Sequence, residues 1–221
     1  MKKKIIGIVP TSNYMLTNDS FADHYRYCNN YIKKILENDA IPYLIPICDD
    51  EVIDDCLKSI DGVIFPGGNR IMEYSLKIMD YCYKNRIPVL GICLGMQTMA
   101  LYSLSNENRE NFLKAVEGHW PKDIFRENEQ ELAHESIVMD NTVLMDILKS
   151  ENVLVNSVHH YAIDKLGDEF IINMKSLDGV IEGIEYKNDD RFMLGVQFHP
   201  EILPQYNNIF KYFIEYCEKR K

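Results

Sequence analysis

From Lys4 onward, the first hundred residues alternate short β-branched stretches with stretches whose apolar residues recur every three or four positions. That alternation is the pattern of a parallel sheet whose crossovers are helices. It predicts strands at Lys4–Val9, Ile41–Ile47, Gly62–Phe65 and Pro88–Ile92. Helices are predicted at Phe21–Asn38, Asp49–Lys58, Ile71–Asn85 and Gln97–Leu104; in the first of these Tyr25, Cys28, Ile32, Ile35 and Leu36 keep close to a 3.6 period. The second half changes character. Phe170–Ser176, Val180–Tyr186 and Phe192–Gln197 are extended runs separated by turn signals, which predicts antiparallel hairpins, and Gln205–Glu218 closes as an amphipathic helix. The polar stretch Asn106–Gln130 is expected to be a surface excursion. The fold class is therefore α/β, a mostly parallel central sheet flanked by helices on both faces with appended antiparallel strands. With ~150 residues per domain as a soft guide, residues 1–221 are expected to form one domain.

Charge narrows the partners. Asp plus Glu number 34 against 24 Lys plus Arg, a formal charge of −10, which argues against nucleic acid or an anionic membrane as a partner. The basic clusters at Lys2-Lys3-Lys4 and Lys219-Arg220-Lys221 are expected to be solvated ends. No apolar run nears the ~18–20 residues that cross a bilayer. The Lys-led apolar start breaks at Pro10 without a cleavage pattern, so a cytoplasmic location is expected. The six cysteines show neither C-x-x-C pairing nor metal-ligand spacing. No metal site and no cofactor is expected.

Gly91-Ile92-Cys93-Leu94-Gly95 joins an apolar strand to a helical segment as G-x-C-x-G, the thiol counterpart of a nucleophile elbow. A nucleophile on so tight a turn needs small neighbours. The helix that follows aims its N-terminus at the sulfur, favouring thiolate and supplying N–H donors for an oxyanion. The same residues would also suit a buried cysteine in a glycine-containing turn. Farther on, Gly195-Val196-Gln197-Phe198-His199-Pro200-Glu201 ends a strand with His199 and Glu201 two residues apart, on one side if the chain stays extended. A cysteine nucleophile needs such a base, and the base needs a carboxylate to orient it. Pro66-Gly67-Gly68-Asn69 follows a strand directly and could turn backbone N–H groups toward a ligand.

In this order, PGG, GICLGMQ and GVQFHPE resemble class I (triad) glutamine amidotransferase domains over most of the chain. Asn156-Ser157-Val158-His159-His160 and Ala133-His134-Glu135-Ser136-Ile137 are similar to segments of the gamma-glutamyl-gamma-aminobutyrate hydrolase branch. The resemblance implies Cys93, His199 and Glu201 as the triad, and an oxyanion hole from the backbone N–H of Leu94 and the Gly67-Gly68 turn. It also implies Gln97 as a contact to the glutamyl part of the substrate, and backbone around Val158, His160 and Tyr161 as the seat of its amino-acid end. Two departures leave the leaving amine open. The chain passes at once from Asn69 into the next helix, where that branch carries an insertion, and Tyr161 stands where the branch often has Gln.

The function this implies is hydrolysis of the side-chain amide of a small γ-glutamyl compound through a thioester on Cys93. The alternatives are a glutaminase subunit feeding ammonia to a separate synthetase, and a silent binding module on the same fold. His159 and His160, being adjacent, are expected to face opposite ways, with His159 ordering a pocket wall. His119 and His134 are expected at surface or structural positions. Glu182 and Glu185 are expected to alternate in register on one strand, solvated or hydrogen-bonded. Tyr14, Tyr25, Tyr27 and Tyr31 are expected to serve the first helix and its lead-in.

Overall fold

The computed structural model describes residues 2–12, 25–120 and 132–219. Elements run in the order β1 (Ile5–Ile8), β2 (Thr11–Ser12), β3 (Tyr25–Arg26), α1 (Asn29–Glu37), β4 (Ile41–Leu44), α2 (Asp50–Lys58), β5 (Gly62–Phe65), α3 (Glu73–Lys84), β6 (Val89–Ile92) and α4 (Leu94–Ser103). There follow β7 (Leu113–Ala115), β8 (His134–Val138), α5 (Val143–Leu148), β9 (Asn152–Val155), β10 (Tyr161–Ile163), β11 (Phe170–Ser176), β12 (Ile181–Tyr186), β13 (Met193–Val196) and α6 (Asn207–Lys219).

Among the described residues, nine strands form one sheet in the order β4-β1-β5-β6-β13-β12-β11-β8-β9. From β4 to β13 the neighbours are parallel, and from β13 to β9 antiparallel. Strand alternation sends side chains to two cores. On one face Ile6 and Ile8 of β1 pack with Tyr31 and Ile35 of α1 and with Phe210 and Phe213 of α6. On the other, Val63 and Phe65 of β5 pack with Ile53 and Leu57 of α2, Ile78 and Met79 of α3, and Met96 and Met99 of α4. Being covered on both faces, β5 and β6 are buried at every position, as their unbroken apolar runs require. Among the described residues no helix is long and apolar enough to cross a membrane.

The expected alternation holds, with local corrections. The helix predicted over Phe21–Asn38 begins only at Asn29. Before it, Tyr25 and Arg26 pair antiparallel with Ser12 and Thr11, and Cys28 is extended at the cap. Tyr25 and Tyr27 contribute packing rather than helix: the Tyr25 ring meets Tyr74 edge-on, and the Tyr27 hydroxyl donates to the Ile45 carbonyl. Two elements inside the polar or unassigned stretches, β7 and β10, pair with each other. Residues 21–24 of that predicted helix, Tyr14, residues 121–130 of the polar excursion and the closing Arg220-Lys221 lie outside the described residues.

Candidate active site

The parallel half of the sheet dictates where functional side chains can meet. Strands β5, β6 and β13 are adjacent and parallel, with Phe65 opposite Gly91 and Ile92 opposite Val196. The segments leaving their C-terminal ends, Pro66-Gly67-Gly68, Cys93 and Gln197–Glu201, therefore emerge at one edge. This is the edge at which open α/β sheets bind ligands.

Cys93 joins β6 to α4 with φ 52° and ψ −105°, a conformation that L-residues avoid and that persists only where the surroundings enforce it. They do so here by close backbone approach: a Cβ on Gly95 would stand 2.0 Å from the Phe65 carbonyl oxygen. The strand-to-helix turn closes only because that residue is glycine. Cys93 N–H donates to the Val196 carbonyl at 2.8 Å, tying the turn to β13. Leu94 occupies the first position of α4, where the N–H has no intrahelical acceptor.

His199 reaches Cys93 from β13. Its Nδ1 lies 2.7 Å from Glu201 Oε1, and the Cys93 thiol is its other ionisable neighbour, acting on it by charge and hydrogen bonding. The two residues do not meet through extended chain, as the spacing alone suggests. The strand stops at Val196, and Pro200–Ile202 form a single 3₁₀ turn that folds Glu201 back under the ring. Burial alone would lower the His199 pKa. The Glu201 carboxylate, then Cys93, outweigh burial and raise it well above the usual histidine value.

Two residues without a role in the sequence reading hold this pair. Tyr31 of α1 is fully buried; its hydroxyl donates to Glu201 Oε1 at 2.8 Å and accepts the Gly67 N–H at 3.1 Å. Asn156 brackets the His199 main chain, its Oδ1 accepting from His199 N–H at 2.8 Å and its Nδ2 donating to the His199 carbonyl at 3.3 Å. Tyr31 could not be singled out because one more aromatic residue on an amphipathic helix reads as core. Asn156 carried a signal, as the first residue of the N-S-x-H segment.

Gly67 requires a correction. Its N–H is committed to Tyr31, so it does not face outward as an oxyanion donor. Its lack of a side chain matters instead, since a Cβ there would stand 2.6 Å from His199 Cε1. Gly68 sits next along the turn, against the Leu94 side chain.

The expected substrate contacts are more occupied than the resemblance implied. Gln97 is buried, and its Nε2 donates to the Tyr161 carbonyl at 3.0 Å and to Gln197 Oε1 at 3.1 Å. The His160 carbonyl accepts from Val116 N–H. The His160 ring is exposed and stacks on Trp120 at 4.1 Å, while Val158 is half-buried and Tyr161 exposed. His159 and His160 do face opposite ways.

His119 is not at the surface: only 3% of it is exposed, and with His134 and His159 it surrounds Glu182, which is 0% exposed. Glu182 and Glu185, three positions apart on β12, cannot share a face of a strand. Glu185 turns to the other side and accepts from Val143 and Leu144 N–H at 2.7 and 3.2 Å, at the start of α5. Neither carboxylate is solvated.

Comparison with known proteins agrees with this fold. A family model described as Peptidase C26 matches residues 4–72 and 72–201. A protein of Rickettsia prowazekii named as glutamine amidotransferase-like is 27% identical over 268 residues, spanning 91% of this chain and 92% of its own length. The CTP synthase of Nautilia profundicola is 29% identical over 206 residues, 77% of this chain but 38% of that enzyme. Among solved structures, a Thermoplasma acidophilum protein described as a GMP synthase subunit superposes with a TM-score of 0.72 at 20% identity, over 99% of this chain and 96% of that one.

Proposed function

For this chain, which belongs to the peptidase C26 family of class I glutamine amidotransferase-like hydrolases, we propose hydrolysis of a γ-glutamyl side-chain amide with Cys93 as nucleophile. The observation that carries the reading is His199 set between the Cys93 thiol and Glu201 Oε1, at the tight end of β6. The Cys93 thiolate, paired with the His199 imidazolium, attacks the amide carbon. The carbonyl oxygen takes up the negative charge facing Leu94 and Gly68 N–H, and losing one such donor typically costs ~10²–10³ in rate. The imidazolium then protonates the departing nitrogen as the C–N bond breaks, leaving a γ-glutamyl thioester and a free amine. Neutral His199 next takes a proton from water, whose oxygen attacks the thioester carbon, and glutamate leaves as the thiolate re-forms. Glu201 holds Nδ1 throughout, so that Nε2 is the nitrogen that exchanges protons.

The resemblance of the Asn156–His160 segment to the gamma-aminobutyrate hydrolase branch favours a stand-alone hydrolase of a small γ-glutamyl amide; the carboxylate, base and thiol serve either enzymatic reading. Incubation with a panel of γ-glutamyl amides, following free glutamate, tests it. Turnover of at least one non-glutamine amide is expected, and no turnover of any, with Cys93 shown reduced, overturns it. The second reading is a glutaminase subunit that passes ammonia to a separate synthetase. The matches to CTP synthase and to the GMP synthase protein favour it, and it requires glutamine turnover that rises when a synthetase is added. A silent binding module would show Cys93 alkylated by iodoacetamide no faster than the remaining thiols.

A further inference from the structure

His119, His134, His159 and Glu182 come from four separated segments and converge on one buried point. His119 Nδ1, His159 Nε2 and His134 Nε2 lie 3.2, 3.5 and 3.6 Å from the same oxygen, Glu182 Oε1. The donor atoms of His119, His159 and Glu182 all fall within 4.8 Å of one another. We propose that this cluster is a binding site for one divalent transition-metal ion, Zn²⁺ by choice of ligands, held by His119, His159 and Glu182 with His134 as the fourth donor.

The outer contacts of the imidazoles carry the argument. His119 Nε2 is 3.0 Å from Asp178 Oδ2, His159 Nδ1 is 3.2 Å from the Tyr161 carbonyl, and His134 Nδ1 is 3.4 Å from the Glu135 carbonyl. A carboxylate and a carbonyl only accept, so the outer nitrogens of His119 and His159 carry the hydrogen; His134 Nδ1 also lies 3.4 Å from the Ser136 hydroxyl, which can take either role. Where they are neutral, the His119 and His159 rings then present inner lone pairs to a carboxylate that is itself fully buried. Lone pairs facing an anion repel, and either a shared proton or a metal cation between them reconciles the arrangement; the spacing decides for the metal. His134 Nε2, His159 Nε2 and both Glu182 oxygens have no hydrogen-bond partner; Ser157 Oγ flanks His119 Nδ1 at 3.2 Å.

The spacing suits a metal better than hydrogen bonds. Ligands at ~2.0–2.1 Å around a tetrahedral zinc stand roughly 3.3–3.4 Å apart, within the 3.2–3.6 Å seen from Glu182 Oε1. Charge-assisted N–H···O bonds close to ~2.7–2.9 Å. The carboxylate on the far nitrogen of His119 is the partner that zinc-bound imidazoles characteristically have. Three nitrogens and an oxygen, buried apart from His134 at its edge, form a closed and therefore structural set. It joins the segment before β8, the start of β8, the 157–161 segment and β12. The sequence expectation of no metal site rested on local spacing and could not see ligands this far apart.

The test loads full-length Cys93→Ser protein, stripped with a chelator, with Co²⁺ and then Zn²⁺; the substitution removes the thiol that lies beside the His199–Glu201 pair. The expected result is one Co²⁺ per chain with intense tetrahedral visible bands and no thiolate charge-transfer band, displaced by Zn²⁺, and a Zn²⁺-dependent rise in Tm that wild-type protein shares. Asp178 is largely exposed, so Asp178→Asn should fold; it is expected to weaken metal binding by ~10–100-fold, the usual effect of removing an outer partner. Glu182→Gln should abolish the bands. No stoichiometric ion and no Tm change in wild-type protein would mean that a shared proton balances the cluster, and overturns the proposal. So would binding that Asp178→Asn leaves unchanged, or that Cys93→Ser removes.

Discussion

Replacing Tyr31 by Phe removes one oxygen and tests whether the Glu201–His199 pair is positioned from α1. The hydroxyl lies 2.8 Å from Glu201 Oε1 and 3.1 Å from Gly67 N. Burial, then the charge on Glu201, raises the Tyr31 pKa well above 10, so the hydroxyl keeps its proton and donates at any working pH. A hydrogen bond to a charged group contributes ~1.5–3 kcal/mol, and a stranded buried N–H costs ~1–3 kcal/mol. With partial re-pairing, urea unfolding of Tyr31→Phe should show a loss of roughly 2–4 kcal/mol. The chemistry should respond in a second way. With one donor gone, Glu201 concentrates its charge on His199, whose already raised pKa rises further, and the alkaline limb of kcat/KM moves to higher pH. Looser placement of the ring should lower kcat/KM itself by about 10–100-fold, or ~1.4–2.7 kcal/mol. The control is Tyr27→Phe, whose hydroxyl serves the Ile45 carbonyl; it should cost about 1 kcal/mol of stability and leave the pH profile alone. A Tyr31→Phe enzyme with the wild-type urea midpoint and an unmoved alkaline limb would refute the reasoning.

Gly67→Ala places a Cβ 2.6 Å from His199 Cε1 and should reduce kcat/KM by about 100-fold through displacement of the ring, with the fold retained by circular dichroism. Asn156→Ala frees both His199 main-chain groups and should lower kcat far more than it raises KM, while Tm falls by a few degrees. Asp178 should titrate at about 2 by NMR: burial acts to raise its pKa, and the Ser176 hydroxyl, His119 and the Val180 N–H outweigh it. Its contribution to stability is complete above the ordinary carboxylate pKa of ~3.9 and vanishes as pH falls through its folded value. In His119→Gln that value should move up toward the ordinary one.

The parallel half was legible because its signals are local. An apolar run such as Val63–Phe65 has to be a strand buried on both faces, and a helical period beside it has to cover one of them. Cys93 was legible too, since a G-x-C-x-G turn records its own steric demand. What escaped the sequence is set by contacts between distant segments. Tyr25 and Arg26 follow a helical period but pair with Thr11 and Ser12, because a partner strand outweighs propensity. The stretch 132–155 yielded no elements in advance, since β8 and β9 sit at the far edge of the sheet and alternate only loosely. One at a time, His119 and His134 read as surface or structural residues, Glu182 as solvated or hydrogen-bonded, and His159 as part of a pocket wall. Only the antiparallel order β12-β11-β8, which brings His134 beside Glu182, turns them into a buried cluster.

The Cys93 site and the histidine cluster are not independent, because they share the Tyr161 carbonyl. That oxygen accepts from Gln97 Nε2, on the helix that begins at Cys93, and from His159 Nδ1, whose other nitrogen faces Glu182. Gln197 closes the loop, its side chain joined to Gln97 and its N–H donating to the Glu182 carbonyl. Five residues upstream of Tyr161, Asn156 holds the main chain of His199. The 156–161 segment is thus tied at one end to the main chain of His199, and at the other carries His159, a ring that would bind the ion. A change in what fills the cluster should reach this segment without touching the reacting atoms. A change at Glu182 should therefore act on substrate fit, and the first sign should be a KM that depends on which amine is attached to the γ-glutamyl group.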